Sequence, residues 1–151
     1  MANQTNVVFI HGSGQSKLSF NFLEIFLPEH NLLSLEYDVQ EDPEQIIKRF
    51  KFLIDQNLGN EPFSIIAHSY GCVLSARLLS YYDNVEHLFA LSSPWAGSRT
   101  AKWLSLVFRQ SKLFATMTPG SAFLTSIADT NSEIPITNIC LLYTSPSPRD
   151  P

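Results

Sequence analysis

The chain has 151 residues, 44% of them hydrophobic and 16% charged, with a formal net charge of -4. That length suits one domain with a single core, and the composition excludes disordered and fibrous classes. The acidic balance removes the electrostatic footprint of a nucleic-acid binder.

The opening residues M-A-N-Q-T-N are polar and lack the basic start and long apolar stretch of a signal peptide. No apolar run approaches the roughly 18 residues needed to cross a bilayer, so a cytoplasmic location is the default expectation. Asn6–Ile10 is a β-branched and aromatic run ending at His11-Gly12, and it predicts a buried strand. Helical spacing follows from about Leu18 to Leu27, stopped by Pro28. Leu32–Tyr37 predicts the next strand. Asp42 offers an N-cap with Pro43 behind it, and Gln45 is placed to close a capping box. Ile46, Ile47, Phe50, Leu53, Ile54 and Leu58 recur at helical spacing, and Gly59 supplies the stop.

Phe63–Ala67 predicts a third strand, followed at once by a helix from about Tyr70 to Tyr82. Val85–Leu91 and Pro135–Ile139 complete the set of strands. Strands alternating with helices predict an α/β fold, a mostly parallel sheet with helices on both faces.

The junction at Ser69 is the informative one: an apolar strand, then A-H-S-Y-G, then an apolar helix. A sharp strand-to-helix turn strains its central residue and needs small neighbours, here Ala67 and Gly71. It lifts the Ser69 hydroxyl above the C-terminal edge of the sheet and aims a helix N-terminus at the same spot. The Tyr70 main-chain N–H can then bind a developing oxyanion. Earlier, V-V-F-I-H-G-S-G runs a strand straight into a glycine-rich turn that can offer a second N–H, from Ser13. Two donors and one raised hydroxyl outline an acyl-transfer site.

These two motifs together resemble the α/β-hydrolase superfamily, and more closely its small lipase/esterase branch. H-G-S-G-Q-S is similar to the oxyanion loop of that family and A-H-S-Y-G to its nucleophile elbow, with Ala67 in place of the commoner glycine. L-S-S-P-W-A-G-S (Leu91–Ser98), M-T-P-G-S-A-F-L (Met117–Leu124) and I-P-I-T-N-I (Ile134–Ile139) also resemble lipase segments. The resemblance spans Val7 to Ile139 and implies a serine hydrolase of carboxylic esters. It implies Ser69 as nucleophile, Ser13 and Tyr70 as oxyanion donors, and a small-molecule ester with an apolar acyl group as substrate. No metal or organic cofactor is implied, because a serine triad needs none. A thioesterase or acyltransferase shares the same intermediate, and a non-catalytic hydrolase-like binding domain is the alternative from another class.

A serine hydroxyl needs a base, and the resemblance implies the chain order Ser, acid, His. His87 follows Ser69 but sits at the wrong end of its strand, where a surface histidine is expected. His11 and His68 fall in the two turns, where a structural role is expected, and His30 has none. For the acid, Asp129 comes too early and Asp83 ends the elbow helix.

Cys140–Asp150 resembles translated sequencing-adapter read-through, so residues 140–151 are expected to be a non-native tail that excludes Cys140, Tyr143, Arg149 and Asp150 from function. A partial hydrolase domain over 1–139 would then lack its acid and His and be inactive as given, and Cys72 would form no disulfide.

Trp95 to Ser126 is a long insertion of the kind that forms lids. Arg99, Lys102, Arg109 and Lys112 share an arc of roughly 140° at about 100° per residue, opposite Trp103, Leu104, Val107, Phe108 and Phe114. This reads either as an amphipathic lid, with lipid contact conceivable, or as a helix packed on the core.

Overall fold

The computed structural model describes residues 4–94, 116, 121, 122, 125 and 133–139. Most of the lid-like insertion, Asp129 and the tail 140–151 lie outside the described residues.

The strands β1 (Asn6–Ile10), β2 (Asn31–Leu35), β3 (Phe63–His68), β4 (Val85–Leu91) and β5 (Ile136–Ile139) form one sheet in the order β2-β1-β3-β4-β5. Every neighbouring pair is parallel. The expected α/β class is therefore present, and the fifth strand falls where the sequence puts it. Parallel strands need crossovers, and the helices supply them on both faces. The helices α2 (Pro43–Leu58) and α3 (Tyr70–Leu78) cover one face, burying Ile46, Phe50, Ile54, Val73 and Leu74 against Val8, Ile10, Ile65 and Leu88. A 3-10 turn (Lys17–Phe20) leading into α1 (Asn21–Glu24) lies on the other face, where Phe20 and Leu23 meet Val7 and Phe9.

Local chemistry fixes these boundaries. The Asp42 carboxylate accepts the Glu44 N–H at 3.1 Å, Pro43 opens α2, and Gly59 at φ 58 ends it. The helix expected over 18–27 is shorter and tighter. Its α-helical part spans only Asn21–Glu24, and turn bonds from Phe26 to Leu23 and from Leu27 to Glu24 carry the chain on to Pro28. β2 stops at Leu35, two residues before the expected end. Glu36 and Tyr37 leave the ladder because their groups turn to His11, 3.1 Å from Glu36 Oε1 and 3.4 Å from the Tyr37 N–H. The elbow helix loses α-helical form at Leu78 and finishes as a 3-10 turn over Leu79–Tyr81. No helix among the described residues is long and apolar enough to cross a membrane.

Candidate active site

Ser69 stands between the last residue of β3 and the first of α3, with φ 50 and ψ -118. Such a conformation is costly for any residue with a Cβ, by about 1–3 kcal/mol, and persists only where its surroundings enforce it. Three contacts do so. The Ser69 N–H donates to the Leu91 carbonyl at 2.8 Å, which ties the turn to the end of β4. Its own carbonyl accepts the Cys72 N–H at 3.0 Å and starts the helix. Gly71 brings α3 hard against β1: a Cβ there would lie 2.3 Å from the Ile10 carbonyl oxygen. The sequence requirement for a small residue at Gly71 thus comes from a backbone two strands earlier in the chain.

Tyr70 is fully buried behind the turn. Its phenol is 2.9 Å from Thr116 Oγ1, and burial pushes it up to about 12. Its main-chain N–H belongs to the first turn of α3, where no intrahelical partner exists. Cys72 is buried beneath the elbow, its thiol 3.2 Å from the Ala67 carbonyl and pushed up to about 12 by burial. It is a free thiol in a core position.

The glycine-rich turn after β1 packs directly on this elbow. A Cβ on Gly12 would meet His68 Nδ1 at 2.8 Å, Gln15 Oε1 at 2.9 Å and Ser69 Cβ at 3.2 Å. The loop that carries Ser13 and the turn that carries Ser69 and Tyr70 are therefore brought together. His11 anchors the loop from below. Its ring is buried, stacks on Tyr37 at 4.4 Å, and donates from Nδ1 to the Gly12 carbonyl at 2.8 Å. Tyr37 returns a bond from its hydroxyl to the His11 carbonyl at 3.1 Å. Burial raises the Tyr37 phenol well above its ordinary value, so it stays protonated and donating.

His68 is half-buried beside Ser69, with Nδ1 2.9 Å from Gln15 Oε1. Desolvation holds it below the usual histidine value, so it is neutral near pH 7. Sequence reasoning assigned no role to Gln15 or Tyr37. The only available signal for Gln15 was its place at the end of the turn, three residues after Gly12.

His87 is far from these groups. Its Nε2 is 2.7 Å from Thr137 Oγ1 and its ring stacks on Phe89. Leu91, where β4 reaches the elbow, lies about 13 Å further along the strand at about 3.3 Å per residue.

Beside the elbow is a cavity of about 230 Å³ lined by Gln15, Ser19, Phe20, Leu23, His68 and Leu91. Phe20, Leu23 and Leu91 are its apolar lining and Gln15, Ser19 and His68 its polar lining. A larger hollow near Lys51, Asp55 and Tyr82 lies at the ends of α2 and the elbow helix, away from Ser69.

No protein-family model matches the sequence, and no curated protein does. The chain is similar to solved structures. One is phospholipase PlaB from Legionella pneumophila, 15% identical with a TM-score of 0.75 over 92% of this chain and 39% of that one. Another is an extracellular α/β-hydrolase from a Paenibacillus species, 14% identical, with a TM-score of 0.61 over 89% of this chain and 76% of that one. A third is the NocB thioesterase domain, solved in covalent complex with a fluorophosphonate, 17% identical with a TM-score of 0.56 over 83% of this chain and 62% of that one. The chain spans well under half of the phospholipase. At these identities the likeness concerns architecture, and with the parallel sheet and the strand–turn–helix at Ser69 it gives this chain the α/β-hydrolase fold.

Proposed function

We propose that the protein is a serine hydrolase that cleaves carboxylic esters with an apolar acyl group through an acyl-enzyme on Ser69. The observation that carries this reading is Ser69 itself: a non-glycine residue at φ 50, heading a helix, with the Gly12 turn packed against its Cβ. Strain of this kind on a hydroxyl-bearing residue has a use when the hydroxyl must stand clear of the sheet.

The Ser69 oxygen attacks the ester carbonyl carbon while a base takes its proton. The carbonyl oxygen becomes an oxyanion, received by the Ser13 and Tyr70 main-chain N–H groups. Collapse breaks the carbon–oxygen bond, the alcohol leaves with a proton, and water then releases the acid by the same route. The base and the acid that orients it are not assigned to described residues. His87 is occupied by Thr137 at the far end of β4, and His11 is buried with Nδ1 committed to Gly12. The cavity lined in part by Phe20, Leu23 and Leu91 supports an apolar acyl group.

The test is labelling of the full-length protein with a fluorophosphonate. Modification of Ser69, lost in Ser69→Ala, is the expected result; intact protein that stays unlabelled would leave a non-catalytic binding domain as the reading. Likeness to a thioesterase domain favours a second possibility within the same chemistry, transfer from a thioester. A panel of matched oxygen esters and thioesters separates the two.

A further inference from the structure

Four main-chain groups of the turn after β1 are bonded within the protein: the His11 and Gly12 carbonyls and the Gly12 and Gln15 N–H groups. The Gly12 carbonyl accepts from the Gln15 N–H at 3.2 Å and from His11 Nδ1 at 2.8 Å. The His11 carbonyl accepts from the Tyr37 hydroxyl at 3.1 Å. The Gly12 N–H donates to Gln15 Oε1 at 3.0 Å. Gln15 therefore grips Gly12 at two points, its main-chain N–H on the carbonyl and its side-chain oxygen on the amide.

The same side-chain oxygen is 2.9 Å from His68 Nδ1, across the gap to the elbow. An amide oxygen only accepts, and the Gly12 N–H requires that oxygen to face it. His68 must then carry its proton on Nδ1 and leave Nε2 with a lone pair. Gly12 makes the bridge possible in a second way. A Cβ at that position would fall 2.8 Å from His68 Nδ1 and 2.9 Å from Gln15 Oε1, in the space the hydrogen bond occupies.

We propose that Gln15 is a positioning residue for the oxyanion hole. Its carboxamide oxygen withdraws the Gly12 N–H from the site, joins the loop to the elbow through His68, and leaves the Ser13 N–H as the donor the loop presents beside Ser69. The inference rests on Ser69 being the nucleophile. Gln15 itself touches no reacting atom in this scheme. Its effect passes through the loop, which must hold a donor in place before charge develops.

Two substitutions in the full-length protein test this, Gln15→Leu, which removes the acceptor, and Gln15→Glu, which keeps one. Amide exchange at Gly12 and the imidazole ¹⁵N shifts of His68 report the bridge; kcat and KM for p-nitrophenyl butyrate and the rate of fluorophosphonate inactivation report its consequence. Gln15→Leu is expected to expose the Gly12 amide, mix the His68 tautomers, and lower kcat by about 10- to 100-fold, below the loss from deleting an oxyanion donor outright. KM should stay within about twofold, since the effect falls on the transition state. Gln15→Glu should keep Gly12 protected and His68 protonated on Nδ1. A Gln15→Leu protein that reacts as fast as wild type, or whose Gly12 amide is equally protected, overturns the role of Gln15 alone. A wild-type protein that neither turns over ester nor reacts with the phosphonate overturns the nucleophile assignment and this inference with it.

Discussion

On one face of the sheet, α2 and α3 bury a continuous layer of large side chains, from Phe50 and Ile54 to Leu74 and Leu78, with none of these four exposed. On the other face the cover among the described residues is one 3-10 turn and one turn of α-helix. Phe20 and Leu23 point inward there, while Phe22, Ile25 and Phe26 are 69%, 71% and 65% exposed. The thick face holds α3, and through Gly71 and the Leu91 carbonyl it holds Ser69 in its strained conformation. The thin face carries the cavity beside His68. The thick face supplies the packing that enforces the turn, and under the proposed function the cavity on the thin face is where a substrate would enter.

Substitutions can break that contrast. Phe50→Ala on the thick face should lower unfolding free energy by about 3–5 kcal/mol, the range for truncating a buried phenylalanine. Denaturant titration would show it, and a loss under 1 kcal/mol would mean that this face is not the rigid one. Gly71→Ala places a Cβ against the Ile10 carbonyl, backbone that has no rotamer to yield. A penalty of about 2–3 kcal/mol is expected, with loss of phosphonate reactivity greater than the loss of folded protein. On the thin face, Phe22→Ser should change stability by less than about 0.5 kcal/mol, because the ring is largely in water already. A large drop in the melting temperature would show that Phe22 is covered in solution.

The smallest effect concerns pH. Burial holds His68 below its unfolded value near 6.5, so the unfolded chain binds the proton more readily. The contribution of neutral His68 is fully present above pH 6.5 and is lost as pH falls through the lower folded value. His68→Gln should flatten the stability profile over that window and leave it unchanged above. An identical acid limb in both proteins would refute the assignment.

Much of the molecule was legible in the chain. The strands β1, β3, β4 and β5 coincide closely with the apolar runs that predicted them, and α2 begins and ends at Asp42 and Gly59 as its caps require. Both rest on short-range chemistry, alternation and capping, which a sequence displays directly. The segment after Ser16 is less helical than its spacing predicts, because helical spacing is also met by successive tight turns. β2 ends earlier than its apolar run predicts because the buried His11, in the turn after β1, claims Glu36 and Tyr37.

Of the site, Ser69 and its turn could be found from sequence, since a strand, a small residue, a serine and a glycine leave a local signature. What the chain alone determined is therefore the order of strands and helices and the residue at the strained turn. Tertiary structure decided what surrounds that turn: the Ile10 carbonyl that demands Gly71, the Leu91 carbonyl that holds Ser69, and the Gln15 amide that joins His68 to Gly12. These partners lie between 22 and 61 positions from the residues they constrain, apart from the Gln15–Gly12 pair. Strand order in a parallel sheet brings them together, and no spacing within a single element records it.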